Sequence, residues 1–207
     1  MQNTQVDKTI TLHAAELGPS RNYYMLISAL VPRPIAWVSS CGKTGENNLA
    51  PFSFYGGICG DPPLIGIGIA RQKDGRRKDT AENILQTEEF VVHLAEVRHL
   101  DSIAASAENY PPRVSEAEKL DLELVSSQVV APMSLECAPF RLECRLHKHL
   151  ELGNGPVDYL IGEVLAFVLP DAWLDHNGRV KQSKIKALGR MGGNLYAPVE
   201  RFLEPQG

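Results

Sequence analysis

Apolar and polar residues alternate with a period of two along several stretches of the chain. In the clearest stretch, Leu142, Cys144 and Leu146 alternate with Glu143 and Arg145, which is the pattern of a strand with one buried face. Strands are predicted at 35–39, 64–70, 90–95, 122–130, 140–150 and 159–168, and helices at 23–30, 80–87, 97–107 and 115–120. Many strands with a few peripheral helices favour a mainly β fold, a barrel or a sandwich.

Length, composition and charge exclude several classes of protein. The chain has 207 residues, of which 43% are hydrophobic, and this predicts a single globular domain over 1–207. The longest apolar runs, near 62–70 and 159–169, are too short to span a membrane, and the polar N-terminus lacks a signal-peptide core. A cytoplasmic location is therefore expected. The net charge of −4 without a dense basic patch argues against nucleic-acid binding. The run 66–69 is an alternating strand with no helix after it, which argues against a dinucleotide-binding βαβ unit.

The segment between residues 32 and 54 combines a strand, a tight turn and a second extended stretch. Pro51 makes the second stretch irregular, because proline cannot donate to a sheet ladder. The arrangement is predicted to bring small and short polar residues together: Ser39, Ser40, Asn48, Ala50 and Ser53. Such residues suit a flat ligand with polar edges that lies against the backbone. Shape alone, however, favours an ordinary hairpin with a proline bulge.

A second candidate for chemistry is the triplet Lys78-Asp79-Thr80 at the start of a predicted helix. The aspartate or the threonine is suited to cap this helix, with Glu82 placed as in a capping box. The amides of a helix N-terminus and the charge of the lysine together suit a phosphate monoester. Taken alone, the triplet is more simply a plain helix cap, and Arg71 and Arg76 are either further anion ligands or solvated loop charges.

These segments resemble the signature of the flavin-reductase-like, FMN-binding split-barrel family. The string Pro32-Arg33-Pro34-Ile35-Ala36-Trp37-Val38-Ser39, followed by Asn48-Leu49-Ala50-Pro51-Phe52-Ser53, is similar to the opening of that signature. The Lys-Asp-Thr triplet before a helix and the strand 90–94 is a second shared block. Later blocks follow in the family's order at 114–122, 134–137, 161–164 and 189–196. The resemblance covers about residues 22–202.

The resemblance implies a split β-barrel with Greek-key connections, and a homodimer that binds FMN near the subunit interface. It implies that Lys78 and Thr80 hold the FMN phosphate. The implied cofactor-binding residues are Ser39, Ser40, Asn48, Leu49, Ala50, Pro51, Ser53, Lys78, Thr80, Arg190 and Tyr196. For the last two, a structural clasp formed by the C-terminal segment is an equally good interpretation.

The implied function is an FMN-binding oxidoreductase of the NAD(P)H:flavin reductase type, with NADH or NADPH as electron donor. A flavin carries hydride and electron transfer itself, so the sequence need not supply a catalytic residue, and none is assigned. One alternative is a flavin-binding electron-transfer or carrier module without its own nicotinamide site. Another is a diverged barrel that keeps the fold and has lost the flavin.

The chain departs from the family pattern where many members carry Gly-Asp-His before a Gly-Glu-Val strand. The corresponding stretch, 155–160, has no histidine, which weakens the nicotinamide prediction more than the flavin prediction. His147 and His149 on the preceding strand have the same parity and are predicted to face one way. They are candidates to replace the missing histidine. A metal site is less favoured than a solvated or core pair, because no third ligand is identifiable.

The remaining histidine and cysteine residues carry weaker signals. His93 stands alone in an apolar strand and is expected to be a hydrogen-bonded core histidine. Cys41, Cys59, Cys137 and Cys144 show neither Cys-x-x-Cys nor zinc-site spacing. Cys41 lies beside the expected flavin strand, where a redox role is a minor hypothesis and a turn or core cysteine is favoured.

Overall fold

The computed structural model describes residues 8–108, 110–111, 114–199 and 201–205. Its strands are β1 (Ala36–Cys41), β2 (Asn47–Phe52), β3 (Tyr55–Gly60), β4 (Pro63–Ala70), β5 (Glu89–Leu94), β6 (Leu124–Val125), β7 (Ser134–Leu135), β8 (Arg141–Leu152), β9 (Val157–Val168), β10 (Leu188–Arg190) and β11 (Tyr196–Pro198). Seven of them form one antiparallel sheet in the order β2-β1-β5-β8-β9-β4-β3. The short strands pair separately, β6 with β7 and β10 with β11. The predicted mainly β class is confirmed.

Four helices of the described residues lie around this sheet. They are α1 (Ala14–Ala29), α2 (Asp79–Thr87), α3 (Leu100–Ala105) and α4 (Glu116–Lys119), with 3-10 turns at Val97–His99, Asp171–Trp173 and Gln182–Lys184. Helix α1 is broken at Gly18, whose φ of 75° lies in the region that glycine tolerates best, and Pro19 follows directly. Among the described residues, no helix combines the length and the apolar character that crossing a membrane requires.

The strand predicted at 122–130 is wrong over most of its length. Only Leu124–Val125 pairs with a neighbour. The next backbone amides are instead bound by the buried carboxylate of Glu143, which accepts from the N–H of Gln128 at 2.8 Å and from that of Val129 at 2.7 Å. The other predicted strands correspond to β1, β4, β5, β8 and β9, with ends shifted by one or two residues.

The alternating side chains of β1 enter two different apolar clusters. Val38 packs in one cluster with Phe90, and its neighbour Trp37 packs in the other with Leu49 and Leu135. All five side chains are 0–1% exposed. Both faces of this strand are therefore buried, so its two serines, which follow directly, must also point in opposite directions.

Gly162 on β9 is required by the ring of Phe90. A side chain at this position would overlap the ring, and a close-packed core has no room to move it without strain. Packing against Phe90 therefore explains why the Gly-Glu-Val block begins with glycine.

His93 on β5 is the expected hydrogen-bonded core histidine. Its Nδ1 lies 2.9 Å from the carbonyl oxygen of Trp37, and its Nε2 accepts the N–H of Leu135 at 2.9 Å. These partners assign the neutral tautomer with the proton on Nδ1. Complete burial lowers the pKa of His93 to about 4, against the opposing effect of the Trp37 carbonyl.

Candidate functional site

Two adjoining pockets of about 280 and 290 Å³ form one groove. They adjoin each other, because Pro51, Lys78 and Ala107 line both. The first pocket lies along β2, the start of α2 and the segment that follows α3. The second lies between the end of β2, helix α1 and the C-terminal segment of β10 and β11.

The first pocket contains the start of α2. Lys78 is the residue before the first helical turn, and Thr80 in that turn lines the same pocket. The predicted cap is wrong: within the part of the chain that the structure describes, no side chain caps α2. The Thr80 hydroxyl accepts instead from Asn48 Nδ2 at 2.8 Å, and the Glu82 carboxylate accepts from Gln86 Nε2 at 2.6 Å. Because none of the described side chains binds the amides at the start of α2, these amides are suited to an anionic group in the groove.

Ser40 and Asn48 lie behind the first turn of α2 and hold Thr80 in place. Ser40 is fully buried and lies opposite Asn48 in the β1–β2 pairing. Its hydroxyl oxygen accepts from Asn48 Nδ2 at 3.4 Å and from Asn83 Nδ2 at 3.3 Å. Asn48 itself lines the first pocket, so Ser40 holds a groove residue rather than facing the groove.

Ser39 and Leu49 lie opposite each other on the other side of the β1–β2 pair. The Ser39 hydroxyl donates to the carbonyl of Met133 at 2.6 Å, and Leu49 packs in the cluster of Trp37. Neither is among the residues lining the groove. The backbone N–H of Leu49 donates to Glu116 Oε2 at 2.8 Å. A contribution from these two residues to ligand binding stays a prediction.

Ala50, Pro51 and Ser53 form a continuous wall of the groove. Ala50 lines the first pocket, Pro51 both, and Ser53 the second. The Ser53 hydroxyl accepts from Arg33 Nε at 3.2 Å. Lys78 Nζ lies 5.9 Å from the centroid of the Phe52 ring, so the cation and this wall border the same space.

Arg190 and Tyr196 lie opposite each other in the β10–β11 pair and line the second pocket. The guanidinium carbon of Arg190 lies 4.4 Å from the centroid of the Tyr196 ring, and its Nη2 donates to the carbonyl of Gly193 at 2.7 Å. The two residues thus form a stacked pair at the groove, a geometry consistent with either a ligand contact or a clasp.

Arg33 is a groove residue that the sequence analysis did not identify. It is 7% exposed and lines the second pocket. Its guanidinium donates to the carbonyls of Ile27, Leu30 and Met191 at 2.8, 3.0 and 3.0 Å. It therefore ties helix α1, β2 and the C-terminal segment together. Pro32 and Pro34 mark the position of Arg33 in the sequence. No local pattern indicates that its guanidinium binds residues as distant as Met191.

Glu116 is a second groove residue that was missed. It is 8% exposed, lines the first pocket and accepts the Leu49 N–H. Burial raises the pKa of this carboxyl, against the opposing effect of the Leu49 amide. The contact joins residues 67 positions apart in the chain, so no local pattern could have predicted it.

His147 and His149 do not form the predicted matched pair. The β8–β9 register is irregular between Leu146 and Lys148, which breaks the strict alternation at His147. His147 is exposed. His149 is half-buried, and its Nε2 lies 2.9 Å from the carboxylate of Asp158.

Comparison with known proteins places the chain in a flavin-related family. The model of the flavin reductase like domain matches residues 28–184, and the chain belongs to this flavin-reductase-like family. It is 38% identical over 189 residues to an uncharacterized protein of Halalkalibacterium halodurans, a match that covers 89% of this chain and 90% of that one.

Two solved structures show the same architecture. Nitrilotriacetate monooxygenase component B from Bacillus cereus superposes with a TM-score of 0.91 at 32% identity, covering 97% of this chain and 100% of that one. A protein of Shewanella frigidimarina with a split barrel domain superposes with a TM-score of 0.80 at 18% identity, covering 93% and 95%. The mainly β fold is therefore that of the split-barrel flavin reductases, and a flavin-related oxidoreductase or flavin-carrier role is supported.

Proposed function

We propose that this protein is an FMN-dependent oxidoreductase of the NAD(P)H:flavin reductase type. The observation that carries the proposal is the single groove that joins Lys78 and Thr80 at the start of α2 to the wall of Ala50, Pro51 and Ser53. FMN has a phosphate monoester at one end and a flat, polar-edged ring at the other. The start of α2 lies in the first pocket, and the ring of Tyr196 borders the second.

The donor set of the first pocket fits a phosphate. Lys78 supplies a full positive charge, and the uncapped start of α2 supplies amides and the positive end of the helix dipole. Arg76 lines the same pocket, although its guanidinium also pairs with Asp74 at 2.7 Å. Thr80, held by Asn48, would offer its hydroxyl proton to a phosphate oxygen.

The wall of β2 fits the ring. Ala50 and Pro51 have no long side chain, so a flat ring can lie close to the backbone there. Arg33, Arg190 and Tyr196 border the far pocket, where they would cover the ring and limit the access of water. When bound, the flavin supplies the hydride and electron transfer, and the protein supplies binding, orientation and electrostatics.

The homodimer expected from the resemblance stays a proposal. Helix α1 and the residue after it support it, because Tyr24, Leu26 and Leu30 are 62%, 50% and 52% exposed and exposed apolar clusters often mark interfaces. The sedimentation coefficient of the purified protein would measure the oligomeric state.

Lys78→Ala should weaken FMN binding and leave riboflavin binding nearly unchanged. Riboflavin lacks the phosphate, and losing one charge-assisted contact from a half-buried lysine should cost about 1.5 kcal/mol, or roughly tenfold in affinity. Quenching of flavin fluorescence on titration measures both dissociation constants. Lys43→Ala, at an exposed lysine in the β1–β2 turn, is the matched control. Equal losses for both flavins in Lys78→Ala would remove Lys78 from the phosphate site.

A flavin carrier without a nicotinamide site is the second candidate function. It is favoured by the stretch 155–160, which has no histidine, and by His149, which is engaged with Asp158. A nicotinamide must stack on the flavin at a productive distance, and orientation contributes much of the rate. Both candidates predict a yellow protein with bound FMN.

Anaerobic reduction by NADH or NADPH separates the two functions. We expect bleaching of the flavin band near roughly 450 nm to be slower than ordinary turnover, about ten per second, because the orienting histidine is absent. The matched comparison is the double variant His147→Ala, His149→Ala. Fast bleaching that persists in the double variant would show that no histidine is needed. Absence of bleaching with either nucleotide would favour the carrier.

A further inference from the structure

Asp158 on β9 is the centre of a charged cluster outside the groove. Its side chain is fully buried. Its carboxylate accepts from Nε of Arg71 at 3.1 Å, from Nε of Arg77 at 3.1 Å and from Nε2 of His149 at 2.9 Å. Glu151 completes the cluster, with Oε1 at 2.7 Å from Nη2 of each arginine.

This cluster is an ion-pair network rather than a metal site. The ligand-type atoms of His149, Glu151 and Asp158 lie within 4.8 Å of one another, a spacing that a cation could use. Both carboxylates, however, are hydrogen-bonded by the guanidinium groups of Arg71 and Arg77. A cation there would have to displace two arginines that already neutralise the acids.

The two arginines occupy the two ends of one loop. Arg71 directly follows the last residue of β4, and Arg77 directly precedes Lys78 at the start of α2. Between them the loop closes on itself, with Gln72 N–H donating to the carbonyl of Arg76 at 2.8 Å and Gln72 Nε2 donating to that of Arg77 at 3.3 Å. One buried carboxylate therefore holds both ends of the 71–78 loop against β9.

The same loop supplies the cationic side of the groove. Gln72, Arg76 and Lys78 all line the first pocket. Lys78 directly follows Arg77, whose guanidinium is bound to Asp158, so this anchor holds the backbone from which the Lys78 ammonium extends. A charge-assisted contact acts over a narrow range of distance, and loosening the loop would lower the phosphate affinity without removing any phosphate ligand.

The anchor is electrostatically strong. Burial alone would raise the pKa of Asp158, but the bonds from Arg71, Arg77 and His149 outweigh it and hold the pKa below its usual value. The carboxylate is therefore ionised at neutral pH. Neutralising it would leave two partly buried guanidinium groups with Glu151 as their remaining acidic partner in the cluster.

We propose that Asp158 is a positioning residue that sets the affinity of the groove for a phosphorylated ligand by fixing both ends of the 71–78 loop. The inference rests on the proposed FMN site, and it deepens that proposal by making phosphate recognition depend on a residue that does not line the groove. It predicts that the preference for FMN over riboflavin can be changed from outside the site.

The test is Asp158→Asn, measured with FMN and with riboflavin. The amide keeps the shape and one acceptor oxygen but loses the charge. We expect FMN affinity to fall about tenfold, and riboflavin affinity to stay within about twofold, so that the ratio of the two dissociation constants changes. A merely structural role would instead lower the melting temperature and weaken both flavins in parallel, which would overturn the proposal.

Two further variants keep the test decisive. Arg77→Gln breaks one arm of the cluster at a side chain that is 31% exposed, so it should fold even if Asp158→Asn does not, and it should shift the ratio in the same direction. Asp171→Asn makes the same change of charge at an exposed site and should leave the ratio unchanged. An unchanged ratio in Arg77→Gln would overturn the proposal.

Lys78→Ala separates a failure of this inference from a failure of the proposed function. If Lys78→Ala shifts the FMN to riboflavin ratio and the Asp158 and Arg77 variants do not, the phosphate site stands and the positioning role falls. If the unmodified protein binds neither flavin, the proposed function falls, and the positioning role falls with it.

Discussion

Ala50→Leu should lower the affinity for FMN by at least about a hundredfold, or ~2.8 kcal/mol. Ala50 lines the first pocket, and it also packs against the core cluster opposite Val38. The added atoms must therefore enter the groove or displace buried side chains. In either case the wall against which the ring is proposed to lie is lost. Titration with FMN, together with a melting curve for the variant, measures the effect.

Ala107→Leu is the matched second variant. Ala107 is exposed and lines both pockets where they join, and it belongs to neither core cluster. Leucine at position 107 adds the same side-chain volume to the groove with less strain in the core. This variant should therefore block FMN binding, and its melting temperature should stay near that of the unmodified protein. A folded Ala50→Leu protein that binds FMN with unchanged affinity would place the ring elsewhere.

The free energy of unfolding should fall by about 3 kcal/mol as the pH is lowered from 6.5 to about 4, owing to His93. In the unfolded chain this histidine binds a proton near its ordinary pKa of 6.5, but in the native core it does so only near about 4. Between these values the unfolded state holds more protons, so stability falls with falling pH. The contribution of neutral His93 to stability is fully present above the unfolded-state pKa. It is lost as the pH falls, and the loss is complete below the native-state pKa.

The geometry explains why the native ring resists protonation. Its Nε2 already accepts the Leu135 N–H, and a proton there would place two donors against each other. Urea unfolding at a series of pH values measures the effect, with His93→Gln as the control. The variant should be less stable at pH 7 and show a shallower loss between the two pKa values. His99, whose pKa is also lowered by burial, contributes in the same direction in both proteins. Identical slopes would contradict the assignment.

The strands that the sequence predicted well are those whose pattern is decided locally. β8 and β9 alternate over most of their length and pair through a short turn, although the register shifts between Glu143 and Cys144 and between Leu146 and Lys148. The strand predicted at 122–130 was wrong because the carboxylate of Glu143 accepts hydrogen bonds from the amides of Gln128 and Val129. β3 was not predicted, since three of its six residues are glycine, which weakens any strand signal.

In the candidate site, too, residues within local motifs could be predicted and residues defined by long-range contacts could not. Asn48, Ala50, Lys78 and Thr80 could be named because the two segments that carry them resemble the family's motifs, and all four line the first pocket. The adjacent Ser39 and Ser40 could not both line one surface, because successive strand residues face opposite sides. Arg33 and Glu116 were missed because their partners lie far along the chain.

The hydrogen bond from Arg33 to the Met191 carbonyl spans 158 positions and has a consequence for the order in which the groove is completed. During synthesis, the residues of β2, α2 and α3 leave the ribosome long before Arg190 and Tyr196. Contacts over such a separation carry a large loop-closure entropy and form late. Until the C-terminal segment has been synthesised, Arg33 lacks its Met191 acceptor and the second pocket lacks Arg190 and Tyr196. We expect the ligand to be fully enclosed only after the C-terminal segment has folded back onto that guanidinium.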